Sequence, residues 1–108
     1  MITRLKWDDL KLLGFKDLKF GPSSSGMYSV SARINTKVGK SFYWLNIKTQ
    51  SRKTVSRVAT ITFACQAILD TFNMFLDLPH KEKLVYLEES GSKLYDENSW
   101  FFILIFLG

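Results

Sequence analysis

The sequence predicts an α+β domain of order α-β-β-β-α: a short helix, a three-stranded antiparallel sheet packed on a long helix, and a C-terminal extension. Three observations carry this expectation. Residues 27–34, MYSVSARI, alternate in polarity with the period of a half-buried strand. Val58, Ile61, Cys65, Ile68, Phe72 and Phe75 recur at spacings of three and four, the stripe of an amphipathic helix. A length of 108 residues, 46% of them hydrophobic, suffices for one core and leaves no room for a second. Residues 1–108 therefore read as one domain, with the core in 1–78 and the extension in 79–108.

The elements follow in order. TRLKWDDLKLLGF reads as a short helix, with Thr3 as cap and Leu5, Trp7, Leu10, Leu12 and Leu13 as its apolar positions; Gly14 ends it. FKDLKF, residues 15–20, is a short strand, followed by the turn-rich loop GPSSSG, residues 21–26. In the second strand Tyr28, Val30, Ala32 and Ile34 share one face, and Met27, Ser29, Ser31 and Arg33 the other. NTKVGK, residues 35–40, makes a turn into a third strand, SFYWLNIK. There Tyr43, Leu45 and Ile47 share one face, and Phe42, Trp44 and Asn46 the other.

Residues 51–76 contain neither Gly nor Pro, which favours a long helix capped by Ser51 and closed by Pro79. The β-branched run VATITF leaves a strand as the alternative there. Residues 80–108 read either as a helix over 80–89 followed by a strand, or as a hairpin turning at Gly91.

The net charge of +5 conceals a division. Residues 1–57 hold twelve Lys or Arg against three Asp, and residues 58–108 three Lys against seven acids. A basic front half suits a polyanionic partner; the alternative is mutual attraction of the two halves within one fold. The single cysteine, Cys65, cannot form an internal disulfide, so an intracellular setting, cytoplasmic or nuclear, is expected. The apolar end SWFFILIFLG is shorter than the roughly twenty residues of a bilayer-spanning helix. It reads as a buried strand, and no membrane partner is expected.

Catalysis is not expected. His80 is the only histidine, so one chain offers no histidine-based metal site. Cys65 lies inside the apolar stripe, where a thiol is usually inert. The carboxylate pairs Asp8–Asp9, Glu88–Glu89 and Asp96–Glu97 are sequence neighbours, and neighbours on a helix or strand diverge. GPSSSG lacks the Gly-Lys-Ser/Thr that follows in a phosphate-binding loop. Neither a cofactor nor a catalytic residue is assigned.

The order of elements and two segments resemble the double-stranded RNA-binding domain. GPSSSGMYSVSARI resembles that family's Gly-Pro loop leading into an aromatic-x-Val strand. SRKTVSRVATITFACQAIL is similar to its Ser-Lys-Lys-x-Ala-Lys start of a second helix rich in small residues. The resemblance spans about residues 21–69. It implies that the basic helix start contacts phosphates across an RNA major groove, while the Gly-Pro loop and first helix reach the flanking minor grooves and read shape. Arg52 and Lys53 match the paired lysines. Ser56 stands at the third lysine, with Arg57 directly after it. The loop histidine of the family is absent, and Ser23, Ser24 and Ser25 occupy that region.

The expected function is therefore a non-catalytic nucleic-acid-binding module, duplex RNA preferred. Arg52, Lys53 and Arg57 would contact phosphates, Lys37 and Lys40 would extend them, and Ser23 to Ser25 would form the loop contact. The alternative is a small protein-interaction or inhibitor module that grips a protein partner or a second copy of itself. Its candidate residues are Met27, Phe42 and Trp44 on the outer sheet face, with Phe101 and Phe102 of the apolar tail. Two aromatics on an outer face call for a cover. The tail, a partner, or bases stacked on Phe42 and Trp44 would each supply one.

Overall fold

Twelve consecutive backbone pairs, from Met27↔Arg52 to Val38↔Ser41, join two of the strands into one long hairpin. The structure is a computed structural model and describes residues 5–95, with the Tyr95 side chain excepted. Its elements are α1 (Trp7–Leu13), β1 (Lys16–Pro22), β2 (Met27–Val38), β3 (Ser41–Arg52), α2 (Arg57–Leu76), α3 (His80–Glu89) and β4 (Lys93–Tyr95). The strands form one antiparallel sheet in the order β1-β2-β3-β4. The α-β-β-β-α order expected from sequence is present. Beyond residue 79 the described chain adds the expected helix over 80–89 and then a short fourth strand, while the apolar end SWFFILIFLG, expected as a buried strand, lies outside the described residues.

The hairpin is longer than the sequence reading allowed. Residues 35–38 continue β2, because Thr36 and Val38 keep the inward alternation and Val38 is buried. The turn shrinks to Gly39 and Lys40. Gly39 has φ +63° and Lys40 is not at positive φ, the pattern of a two-residue type II′ turn. At the other end, residues 49–52 continue β3. Ser51 is buried in that strand, so it does not cap the long helix.

α1 starts at Trp7, with the Lys6 N–H donating to the Asp9 carboxylate at 2.9 Å. Thr3, the expected cap, lies outside the described residues. Gly14, at φ +107°, ends the helix as expected, donating to Lys11 at 3.0 Å. Of its apolar positions Leu10 is fully buried, whereas Leu12 is 88% exposed. α2 is capped by Ser56, whose hydroxyl accepts from the Ala59 N–H at 3.3 Å. It lies on the inner sheet face, chiefly over β3. Cys65, Ile68 and Phe75 of the predicted stripe are buried, and Ile61 and Phe72 pack beside them. Val58, the first member, is 61% exposed.

The core sits between α2 and the inward residues Val30, Ala32, Ile34, Leu45 and Ile47. Phe15 meets Phe72 edge to face at 5.4 Å, and Phe75 meets Tyr86 of α3 at 5.4 Å. Leu87 of α3 joins the same core. Truncating Leu45, which has no exposed surface, should therefore cost about 2–5 kcal/mol in L45A, read by urea denaturation.

Burial pushes the Cys65 thiol above its ordinary value of 9.0, and the Asp9 carboxylate adds to the rise. The unfolded thiol ionises first as pH climbs. The stability held by the neutral thiol is thus complete below about pH 9 and is lost as pH rises through the folded value. The urea midpoint should fall on alkaline titration, and fall less in C65A. Ellman's reagent should label native Cys65 slowly and the urea-unfolded chain at once.

Candidate nucleic-acid interface

The basic segment resolves into three different settings. Arg52 is the last residue of β3, Lys53 belongs to the connection, and Arg57 is the first residue of α2. The three cations therefore do not crowd the first two turns of a helix, as capping at Ser51 would require. The ladder with β2 holds the chain extended through Arg52, and the helix begins only when Ser56 can cap it. Only Arg57 faces the unfavourable positive end of the macrodipole.

Two of these cations lie over aromatic rings. The Arg52 guanidinium lies over the Phe63 ring of α2, 5.6 Å from its centroid, and the Lys53 ammonium over Tyr28 at 5.5 Å. All three basic residues are exposed. The connection beneath them is held by Thr60, a 7% exposed residue on the first turn of α2. Its hydroxyl bonds the Ser56 carbonyl at 2.9 Å and the Thr54 hydroxyl at 2.8 Å, and it accepts from the Thr54 N–H at 3.2 Å.

The loop after β1 lies against the same end of the sheet. The Lys53 N–H donates to the Gly26 carbonyl at 2.9 Å, and the Gln50 amide donates to the Ser23 hydroxyl at 3.2 Å. The Met27 N–H closes the loop on the Ser24 carbonyl at 3.0 Å. Ser23, Ser24 and Ser25 are exposed. The fold thus brings together the serine loop, Arg52 and Lys53, with Arg57 four residues further along the chain.

Lys37 and Lys40 are elsewhere. They lie at the turn end of the hairpin, ten residues along β2 from Met27, or about 33 Å of strand. They do not extend the Arg52 cluster locally. The Lys37 ammonium lies over the Phe42 ring at 5.7 Å.

The outer face of the sheet differs from the apolar surface expected from Met27, Phe42 and Trp44. All three are partly buried, and the two large rings lie beneath cations. Lys16 and Arg33 approach the Trp44 ring at 5.4 and 5.6 Å. Phe101 and Phe102 lie outside the described residues. Arg33 and Lys48, expected on strands and as easily paired with the acidic C-terminal half, join Lys16, Lys19 and Lys93, which sequence reasoning passed over, on the strands of this sheet. Arg33 pairs instead with Asp17 of the front half. Strand parity already placed Arg33 outward, and extending it along β3 would have placed Lys48 there. Nothing in the sequence fixed the pairing of Lys93 with Trp44.

Among the described residues two ion pairs form, Lys11 with Asp8 at 3.8 Å and Arg33 with Asp17. Neither joins the basic front half to the acidic back half. α2 is long and apolar enough to cross a bilayer by length and composition, yet it carries the central residues of the core. Comparison with family models, curated proteins and solved structures gives no match to this chain.

Thr60 fixes the geometry of the connection rather than its charge. Replacing it in T60V leaves the Thr54 and Ser56 groups short of a partner. A loss of about 1–2 kcal/mol in urea denaturation is expected, with faster amide exchange over residues 54–60.

Proposed function

We propose that this domain is a non-catalytic nucleic-acid-binding module that prefers duplex RNA and reads little sequence. The observation that carries the reading is the meeting of the serine loop with the end of β3, which sets Ser23–Ser25 beside Arg52 and Lys53, ahead of α2. Exposed cations on short, hydrogen-bonded supports suit phosphate oxygens, which need charge and position more than shape. The serine hydroxyls next to them suit the 2′-hydroxyl and sugar edge of an RNA groove. Arg52, Lys53 and Arg57 carry the charge contacts in this reading, and Lys37 and Lys40 act at a separate point.

The alternative, a grip on a protein through an apolar outer face, has less support. Lysines and an arginine lie over the rings that would supply the apolar surface.

Fluorescence anisotropy with a labelled RNA duplex of about twenty base pairs tests the proposal. Three neutralised phosphates give a log–log salt slope near −3, so affinity should fall about fortyfold between roughly 50 and 200 mM salt. The triple variant R52Q/K53Q/R57Q should lose most of that affinity and its salt dependence while keeping its melting temperature. Equal affinity of the variant and the parent chain, or a preference for duplex DNA, would remove this assignment.

A further inference from the structure

We propose that the outer face of the sheet is a second, separate site, which binds single-stranded nucleic acid through Lys19, Lys48 and Lys93. The three lysines stand on three different strands, β1, β3 and β4, around an open depression of about 420 Å³. Lys19 and Lys48 share one cross-strand row, because both pair with Ser31 of β2. Lys93 lies across from Trp44, four residues along β3 from Lys48. Its place is fixed by Asn46, whose backbone N–H donates to the Ser92 hydroxyl at 2.8 Å and whose amide donates to the Ser90 carbonyl at 3.2 Å.

Charge complementarity decides the class of occupant. Asp17 is the one carboxylate lining the depression, and it is engaged by Arg33. None of the three lysines forms an ion pair among the described residues. Their Cα atoms are set about 10 Å apart across the strands and about 14 Å apart along them, taking standard strand spacing, and all three side chains are exposed. A single phosphate cannot span such a triangle. A flexible strand with a phosphate at every unit can follow it. Lys16 and Arg33 over the Trp44 ring add two more cations beside the depression, which suits a chain of phosphates.

This site does not rest on the duplex reading, since it shares no residue with the Arg52 cluster. The probe is a fluorescein-labelled twelve-residue oligouridylate, which forms no duplex, titrated with the full chain. Three phosphate contacts on a single strand give a log–log slope near −2, or about a twentyfold fall in affinity between roughly 50 and 200 mM salt. K19Q/K48Q/K93Q should abolish this binding and leave the duplex titration within about threefold of the parent chain. R52Q/K53Q/R57Q should leave oligouridylate binding intact.

No binding of the oligouridylate at low salt would overturn the site, as would an unchanged affinity in K19Q/K48Q/K93Q. Equal loss of duplex and single-strand binding in that variant would overturn its separateness. Competition by polyglutamate at equal charge concentration would overturn the choice of occupant. If the variant fails to fold, acetylation footprinting of the parent chain decides instead. Protection of Lys19, Lys48 and Lys93 by the oligouridylate supports the site, and unchanged labelling overturns it. A chain that binds oligouridylate in this way but no duplex RNA retires the duplex proposal alone.

Discussion

The register of the β2–β3 hairpin is the constraint on which the rest of the molecule depends. Side chains alternate along a strand, so a slip of one residue would exchange every inward residue for an outward one. In the observed register Val30, Ala32, Ile34, Leu45 and Ile47 all face α2 and are all buried. A slipped ladder would put Arg33 or Lys48 into that core and strand the apolar set in water. Burying five aliphatic or small apolar side chains is worth several kcal/mol. The hydrophobic pattern therefore fixes not only the core but the position of every cation on the other face. The two-residue turn at Gly39 and Lys40 pins one end of this ladder. The hydrogen bond from Lys53 to Gly26 pins the other.

The length of the hairpin has a second effect. A ladder of this length separates its turn from its open end by most of the long dimension of the sheet. Basic residues close in sequence are thereby sent to different places: Lys37 and Lys40 to the turn, Lys48 to the middle of the face, Arg52 and Lys53 to the open end. A single charge-rich half of the sequence becomes several local surfaces. Each has its own backbone support, and Asn46, Thr60 and the serine loop are the residues that provide it.

Much of the fold was legible because two periodicities were clean. The alternation of Met27 to Ile34 and the three-four spacing from Ile61 to Phe75 both survive in the structure. The boundaries were harder to read, for identifiable reasons. Asn35, Thr36 and Lys37 have the composition of a turn, but Val38 beyond them had a buried place to fill, and packing overrode local preference. Ser51 had the chemistry of a cap, but ladder pairing with Tyr28 kept it in the strand. Its hydroxyl is buried without a hydrogen-bond partner among the described residues, so the side chain serves no cap there. The candidate site was half legible. The serine loop and Arg52–Lys53 were named together from a resemblance, and they are neighbours. Lys93 was invisible, since its position depends on a strand of three residues whose pairing only the tertiary structure sets.

The irregularity in β1 has a consequence for how the chain behaves in a crowd. The register of β1 against β2 shifts between Lys16 and Lys19, and Asp17 there adopts φ +59°, in a region that suits aspartate better than most residues. The same irregularity that accompanies the Asp17–Arg33 pair interrupts the regular ladder of β1. Pro22 removes one further donor at the strand's end. An intruding strand finds no straight, evenly spaced row of amides and carbonyls to copy along β1. At the β1 edge, then, the strand's own irregularity works against edge-to-edge polymerisation.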